Sequence, residues 1–223
     1  MARSAKAPLL AALGCVVALG LLALCAYAID SFQHLDARVL RQAMDHRLGS
    51  TGSTAEFLAH LSDPLPLLAM LAAACAIALR RRRPLDTLGA VVIVAGANLT
   101  TQAMKVVFAH PRFHEFLGTY NLGEASFPSG HATAAASIAI AFALVVPGWV
   151  RPVVALFGVS FYAAVGGSIL ILGWHYPSDI LAGGLVASAW GLAVLAVLRV
   201  ADPERGKAEE QAQVSSRAAI SVK

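Results

Sequence analysis

Read from its N-terminus, the chain alternates long apolar runs with short polar breaks. A helix that crosses a bilayer needs roughly 20 mostly apolar residues. Six runs approach that length: Leu9 to about Ile29, about Pro64 to Leu79, Leu85 to about Phe108, Ser129 to near Pro147, Pro152 to about Gly173, and Pro177 to near Arg199. The second is short, and Phe57 to Leu61 offers an extension. Backbone groups in hydrocarbon must be satisfied locally, so the runs read as helices rather than open strands. Between the first two runs, Phe32, Leu35, Val39 and Ala43 recur at helical spacing among Asp36, Arg38, Arg41, Asp45 and Arg47. That spacing predicts an amphipathic helix lying on the membrane surface. The expected fold class is therefore all-α: a polytopic six-transmembrane-helix bundle with an outer-face interfacial helix. Residues 1–200 would form the membrane domain, and residues 201–223 a polar tail.

Composition supports this picture. Apolar residues make up 58% of the 223 and charged residues 13%, against about 45–50% and about 25% in soluble domains. Mean hydropathy is +0.69. These values exclude a disordered chain, a coiled coil and an ordinary nucleic-acid-binding domain. Aromatic residues, at 7%, suggest no stacking platform for bases. Cys15, Cys25 and Cys75 all sit in apolar runs, without metal spacing or a disulfide framework. Arg3 and Lys6 followed by an apolar run hint at a signal peptide, yet the run exceeds the roughly 7–15 residues of such a region. An uncleaved anchor is expected.

The net charge of +4 is modest, and its placement carries more information. With the N-terminus in the cytoplasm, 12 Lys and Arg fall on the inside, including the Arg80-Arg81-Arg82-Arg83 run, and 5 on the outside. By the positive-inside rule both termini are cytoplasmic, in the cell (inner) membrane. Residues 30–63, 109–128 and 173–176 then lie outside.

Polar residues are expensive in a membrane, so their location is informative. Asn98, Thr101, Gln102 and Lys105 share one helix stripe, which leads to His110-Pro111-Arg112. Pro128-Ser129-Gly130-His131 opens an apolar helix, with Ser129 a good N-cap and Gly130 permitting close approach to the backbone. A helix start of this kind favours an anion, particularly phosphate. The third cluster runs from Ser168 through Gly173-Trp174-His175-Tyr176-Pro177-Ser178-Asp179. A carboxylate four residues after His175 can take its ring N–H, fix the tautomer and raise its nucleophilicity. His131 then remains as a proton donor. Each cluster also has a plain structural use: a snorkelling Lys105, a capped helix, an interfacial Trp-His-Tyr belt. All three nevertheless fall on the outer face derived from charge alone. Two cations, an anion-binding helix start, two His and one Asp suit phosphoryl transfer, where stabilising charge is most of the work. No acidic cluster suggests a metal site. His34, His46, His60, His110 and His114 are scattered, and surface positions are expected for most of them.

With these motifs the chain resembles the type 2 phosphatidic acid phosphatase family, membrane relatives of the vanadium haloperoxidases. That family's pattern has three parts: Lys, six residues, Arg-Pro; then Pro-Ser-Gly-His; then Ser-Arg, five residues, His, three residues, Asp. Here Lys105 and Arg112, then Pro128 to His131, then Ser168, His175 and Asp179 stand at the family's spacing. The likeness covers roughly residues 55–200 and includes the six-helix layout. It implies a metal-independent, cofactor-free integral membrane phosphatase. His175 would attack phosphorus to form a phosphohistidine, Asp179 would orient it, and His131 would protonate the leaving oxygen. Lys105, Arg112, Ser129, the Gly130 backbone and Ser168 would form the phosphate site. The implied substrates are lipid phosphates or diphosphates of the outer leaflet: polyprenyl diphosphate (undecaprenyl diphosphate among them), phosphatidate, phosphatidylglycerol phosphate or a lipid A phosphate.

Two positions depart from the pattern. Phe113 replaces the Pro after Arg112, and Ile169 replaces an Arg that would bind phosphate. Ile cannot donate a hydrogen bond. The departure keeps a second expectation open, a degenerate member that binds phospholipid or a partner without turnover. A third is a lipid phosphotransferase using the same phosphohistidine. Ile169→Arg is therefore expected to raise turnover, its guanidinium making two parallel hydrogen bonds to phosphate; the competing expectation is that the surroundings have repacked around Ile and a buried unpaired Arg destabilises the fold.

Overall fold

The computed structural model describes residues 3–108 and 126–202. Among them are eight helices and no strand: α1 (Arg3–Ala28), α2 (Asp30–Met44), α3 (Ser50–His60), α4 (Pro64–Arg80), α5 (Pro84–Val107), α6 (Gly130–Val145), α7 (Arg151–Ile171) and α8 (Pro177–Ala201). Proline in the first turn marks the start of α4, α5, α7 and α8, where its missing N–H costs nothing. Four helices, α1, α5, α7 and α8, are long and apolar enough to cross a membrane. A fifth joins them if α3 and α4, bent by 54° at a short break, count as one span. Helix α6 is apolar but has only 16 residues.

The all-helical expectation holds, and each of the six apolar runs contains a helix. The extension through Phe57 to Leu61 appears as part of α3, bent away from α4. The stripe expected on α2 does not face the protein. Asp36, Ala37 and Leu40 are buried, while Leu35 and Val39 are exposed. Leu40 and Ala37 pack against Tyr176, and the Asp36 carboxylate accepts from both N–H and Oγ–H of Ser178 at the start of α8.

Helix α6 is the hub. It packs against α4, α5, α7 and α8, while α1 lies along α8 and α3 along α7. Its sequence explains why. Ala132, Thr133, Ala134, Ala135, Ala136 and Ser137 are all buried, and such small side chains let neighbouring backbones approach closely. Large apolar side chains point the other way: Leu10, Leu13, Leu21, Leu99, Phe157 and Val197 are exposed. The interior is joined by hydrogen bonds. Thr101 and Thr133 meet through their hydroxyls at 2.9 Å, Trp190 Nε1–H donates to Thr100 Oγ1 at 3.0 Å, and Tyr162 O–H donates to the Ile180 carbonyl at 2.8 Å. Asn98 Nδ2–H donates to its own helix at Val94 and to Ser137 of α6. At the opposite end of α6, the Arg81 guanidinium donates to the Val145 carbonyl, a cation placed where helix carbonyls lack partners.

A close backbone approach in the hub joins α6 to α8. A Cβ at Gly183 would lie 2.8 Å from the Ser129 carbonyl oxygen and 2.9 Å from Thr133 N. Both are backbone atoms that cannot swing aside. Gly183→Ala is expected to force the helices apart at about 1–3 kcal/mol, the usual cost of overpacking. Gly167, with nothing within 4 Å of an added Cβ, is the control. Thermal unfolding of the two alanine variants in one detergent checks this: Gly183→Ala should melt several degrees below the parent, and Gly167→Ala should not.

Candidate active site

Helix α7 ends in a tight turn that presents His175. Gly173 adopts φ +74°, its N–H donates to the Leu170 carbonyl, and the Trp174 N–H donates to the Ile169 carbonyl. This pair of bonds satisfies the last carbonyls of α7 and reverses the chain. Only Gly takes that φ without strain. His175 follows at once, and Pro177 starts α8.

The first turn of α8 holds the imidazole. Asp179 Oδ2 lies 3.3 Å from His175 Nδ1 and accepts the Tyr176 N–H at 3.0 Å. Asp179 is 0% exposed and His175 is 7% exposed. A buried carboxylate held by a backbone N–H has little freedom to leave the ring. With Nδ1 turned to Asp179, Nε2 is the nitrogen available for chemistry.

Helix α6 brings the second group. The Ser129 N–H donates to the Asp179 carbonyl at 3.0 Å, tying the two helix starts together. Ser129 Oγ accepts the Ala132 N–H at 3.3 Å, so its side chain caps the helix, and the residue is fully buried. Gly130 and His131 stand in the first turn, where N–H groups have no intrahelical acceptor. The His131 ring lies 6.3 Å, centre to centre, from that of His175. Helix α5 adds Lys105 and Gln102: a Cβ on Gly130 would be 3.7 Å from both Lys105 Nζ and Gln102 Nε2.

Gln102, Lys105, Gly130 and His131 line one end of a cleft of about 610 Å³, and His175 stands beside His131. Its polar end is formed by Asp63, Gln102, Lys105, Gly130 and His131. The rest is apolar, walled by Leu67, Leu68 and Leu71 of α4 and by Val94 and Leu99 of α5. Among the described residues no group of three or more His, Cys, Asp or Glu side chains is placed to hold a metal ion.

Of the residues singled out from sequence, the structure brings together Lys105, Ser129, Gly130, His131, His175 and Asp179. It does not bring Ser168 to the cleft. Ser168 Oγ–H donates to the Ala164 carbonyl at 2.7 Å, and the residue lines a separate cavity of about 260 Å³ beside Ser50, Thr51 and Thr54 of α3. Arg112, with His110 and His114, lies outside the described residues. Ile169 is 0% exposed and packs with Ala55 and Ala59 of α3 and with Ala132, Leu172 and Ile180. It is adjacent to the site, against the neighbours of His131 and Asp179, but closed over by an apolar helix face.

Three residues were missed. His34, His46 and His60 are exposed as expected, and His60 Nδ1 lies 2.8 Å from Asp63, whose other oxygen faces His131. Asp36 braces Ser178, next to Asp179. The available signal was positional. All three fall in the outside segment 30–63, and Asp63 stands directly before the proline that opens α4.

No curated protein matches the sequence. The fold is similar to the crystal structure of a transmembrane PAP2-type phosphatidylglycerolphosphate phosphatase from Bacillus subtilis, with a TM-score of 0.70 and 20% identity. The likeness covers 87% of this chain and 96% of that one. The sequence profile of the PAP2 superfamily matches residues 86–202, which contain all three motifs, and the chain belongs to that superfamily.

Proposed function

We propose that the protein is an integral membrane lipid phosphatase working through a phosphohistidine. One observation carries the reading. Two imidazoles lie 6.3 Å apart, centre to centre; one is backed by a buried carboxylate, and the other, His131, lines the polar end of a leucine-walled cleft. Leu68 and Leu99 on its walls are exposed, so the groove opens sideways, where a lipid chain can enter while its phosphate stays at the polar end. A PAP2-type relative of the same fold acts on phosphatidylglycerolphosphate, in keeping with a phospholipid monoester as substrate.

The chemistry follows from the geometry. His175 Nε2 attacks phosphorus while the bond from phosphorus to the lipid oxygen breaks. His131 gives that oxygen its proton. Water then attacks the phosphohistidine, the P–N bond breaks, and His131 takes the proton back. Lys105 and the first-turn N–H groups of α6 stabilise the charge on the transferring group. Ser129 contributes by capping that turn, and Arg112 supplies a second cation by its place in the motif. With the N-terminus inside, as the charge placement suggests, six crossings, with α3–α4 as one and α6 as another, would leave this site on the outer face. The exposed Leu35 and Val39 let α2 rest on the outer leaflet.

The buried Ile169 favours a second reading, a member that binds lipid phosphate without turnover, because one phosphate ligand of the family is absent. Phosphate release from a lipid panel by purified protein, with EDTA present, separates the two. Turnover supports the phosphatase. Saturable binding without release supports the second reading.

Four outcomes are expected. His175→Ala should remove phosphate release without lowering expression or melting temperature. Asp179→Asn should retain some activity after a fall of up to about 10⁴-fold, the cost of losing tautomer control in the comparable serine-protease triad. In the membrane, a periplasmic reporter fused after Gly123 should be active, and one fused after Arg83 or Lys223 silent; the reverse pattern would put the site inside. Ile169→Arg should melt below the parent and gain no turnover, because a guanidinium among Ala55, Ala59 and Ile180 is buried without a partner. A folded variant with raised turnover would show that only the donor is missing.

A further inference from the structure

The acid in this mechanism has a partner that no motif names. Asp63 occupies the N-cap position of α4, just before Pro64, yet its side chain makes no capping hydrogen bond. An Asp placed there ordinarily accepts an N–H of the first turn. Both of its oxygens are turned to imidazoles instead. Oδ1 lies 3.4 Å from His131 Nε2, and Oδ2 lies 2.8 Å from His60 Nδ1. Trp174 flanks both rings, with centres 5.4 Å from His131 and 6.0 Å from His60. The His131 ring is therefore held at one edge by a carboxylate and at its side by an indole.

Resting on the phosphatase reading, we propose that Asp63 is the positioning residue of the leaving-group acid, with His60 as its outer counter-group. The arrangement repeats that of the nucleophile, one carboxylate for each imidazole. With Nε2 turned to Asp63, Nδ1 is the nitrogen that meets the leaving oxygen. A neighbouring carboxylate favours the protonated ring, the form the first step consumes. Once Nδ1–H has passed to the leaving alkoxide, the ring keeps Nε2–H on Asp63. Nδ1 is then left free to take a proton from the attacking water. Each turnover returns His131 to its starting form. His60, the more exposed partner, keeps the carboxylate from rotating to cap α4.

A merely structural Asp63 and a positioning Asp63 differ in how they respond to the leaving group. Proton donation matters for an alkyl alcohol and little for p-nitrophenolate, which leaves unaided. General acid catalysis is worth about 10²–10⁴-fold. Asp63→Asn should therefore slow kcat on a short-chain phosphatidate by about 10- to 100-fold. The loss on p-nitrophenyl phosphate should be smaller by about tenfold or more, and Asp63→Glu should recover part of the difference. Equal losses on both substrates, or no loss on either, overturn the proposal. His175→Ala, run on the same two substrates, tests the reading beneath it. A wild type that releases no phosphate from either removes that reading and the role of Asp63 together. Should neither Asp63 variant fold, the ring ¹⁵N spectrum of the wild type, assigned with His131→Gln, decides. A ring protonated on Nε2, whether as the imidazolium or as the neutral form, supports the proposal, and a neutral ring with its one proton on Nδ1 overturns it.

Discussion

The site depends on one backbone hydrogen bond between two helix starts. The Ser129 N–H gives to the Asp179 carbonyl, and that bond fixes the first turn of α6 against the first turn of α8. The two turns carry His131 and Asp179, and Asp179 in turn holds His175. The contact is possible only because Gly183, one turn further along α8, leaves the Ser129 carbonyl and Thr133 room to sit against it. The bond is made by main-chain atoms. Its geometry therefore survives changes in side-chain rotamer and fails when the helices move. The buried Asp36 supports it from outside, holding the N-terminal edge of α8 through Ser178.

The surrounding bundle follows from the same constraint of close approach. Helices in lipid gain little from burying leucine against leucine, since lipid is equally apolar. Small residues and interhelical hydrogen bonds join them instead. The Ala-rich stretch of α6 and the bonds Thr101–Thr133 and Trp190–Thr100 do this work. Leucine and phenylalanine are left outside, where they meet hydrocarbon at no cost.

This division explains what could be read from sequence. Apolar runs gave the long helices and their starts, because length and proline placement are local properties. The couple of His175 and Asp179 was legible because a four-residue spacing at a helix start fixes geometry locally, and the cap at Ser129 was legible for the same reason. The partnership of Asp63 with His131 was not, since residues 68 apart in the chain meet only through the packing of α4 against α6. The contact of Asp36 on α2 with Ser178 was not legible for a related reason. The face with Asp36 turned inward because Ser178 offered two donors there, and that preference is invisible along α2 itself. Ser168 shares the family spacing, but spacing does not fix rotamer. A serine late in α7 found its own helix carbonyl at Ala164.

The departure at Ile169 and the position of Asp63 concern the same electrostatic problem. Phosphoryl transfer needs positive charge around the equatorial oxygens. The family's arginine at position 169 would add a permanent cation, whereas here that volume is filled by Ile169 against α3. Among the described residues that line the cleft, Lys105 is the one lysine or arginine, and Asp63 is a carboxylate. A site with one fewer guanidinium leans more heavily on its imidazoles being protonated when substrate binds. The Asp63 carboxylate, at the polar end of the cleft beside His131, serves that need, since a carboxylate next to an imidazole favours the charged ring. If Asp63 acts in this way, His131 is both the proton donor and a second source of positive field. The lost arginine and the extra carboxylate are then two parts of one local balance of charge.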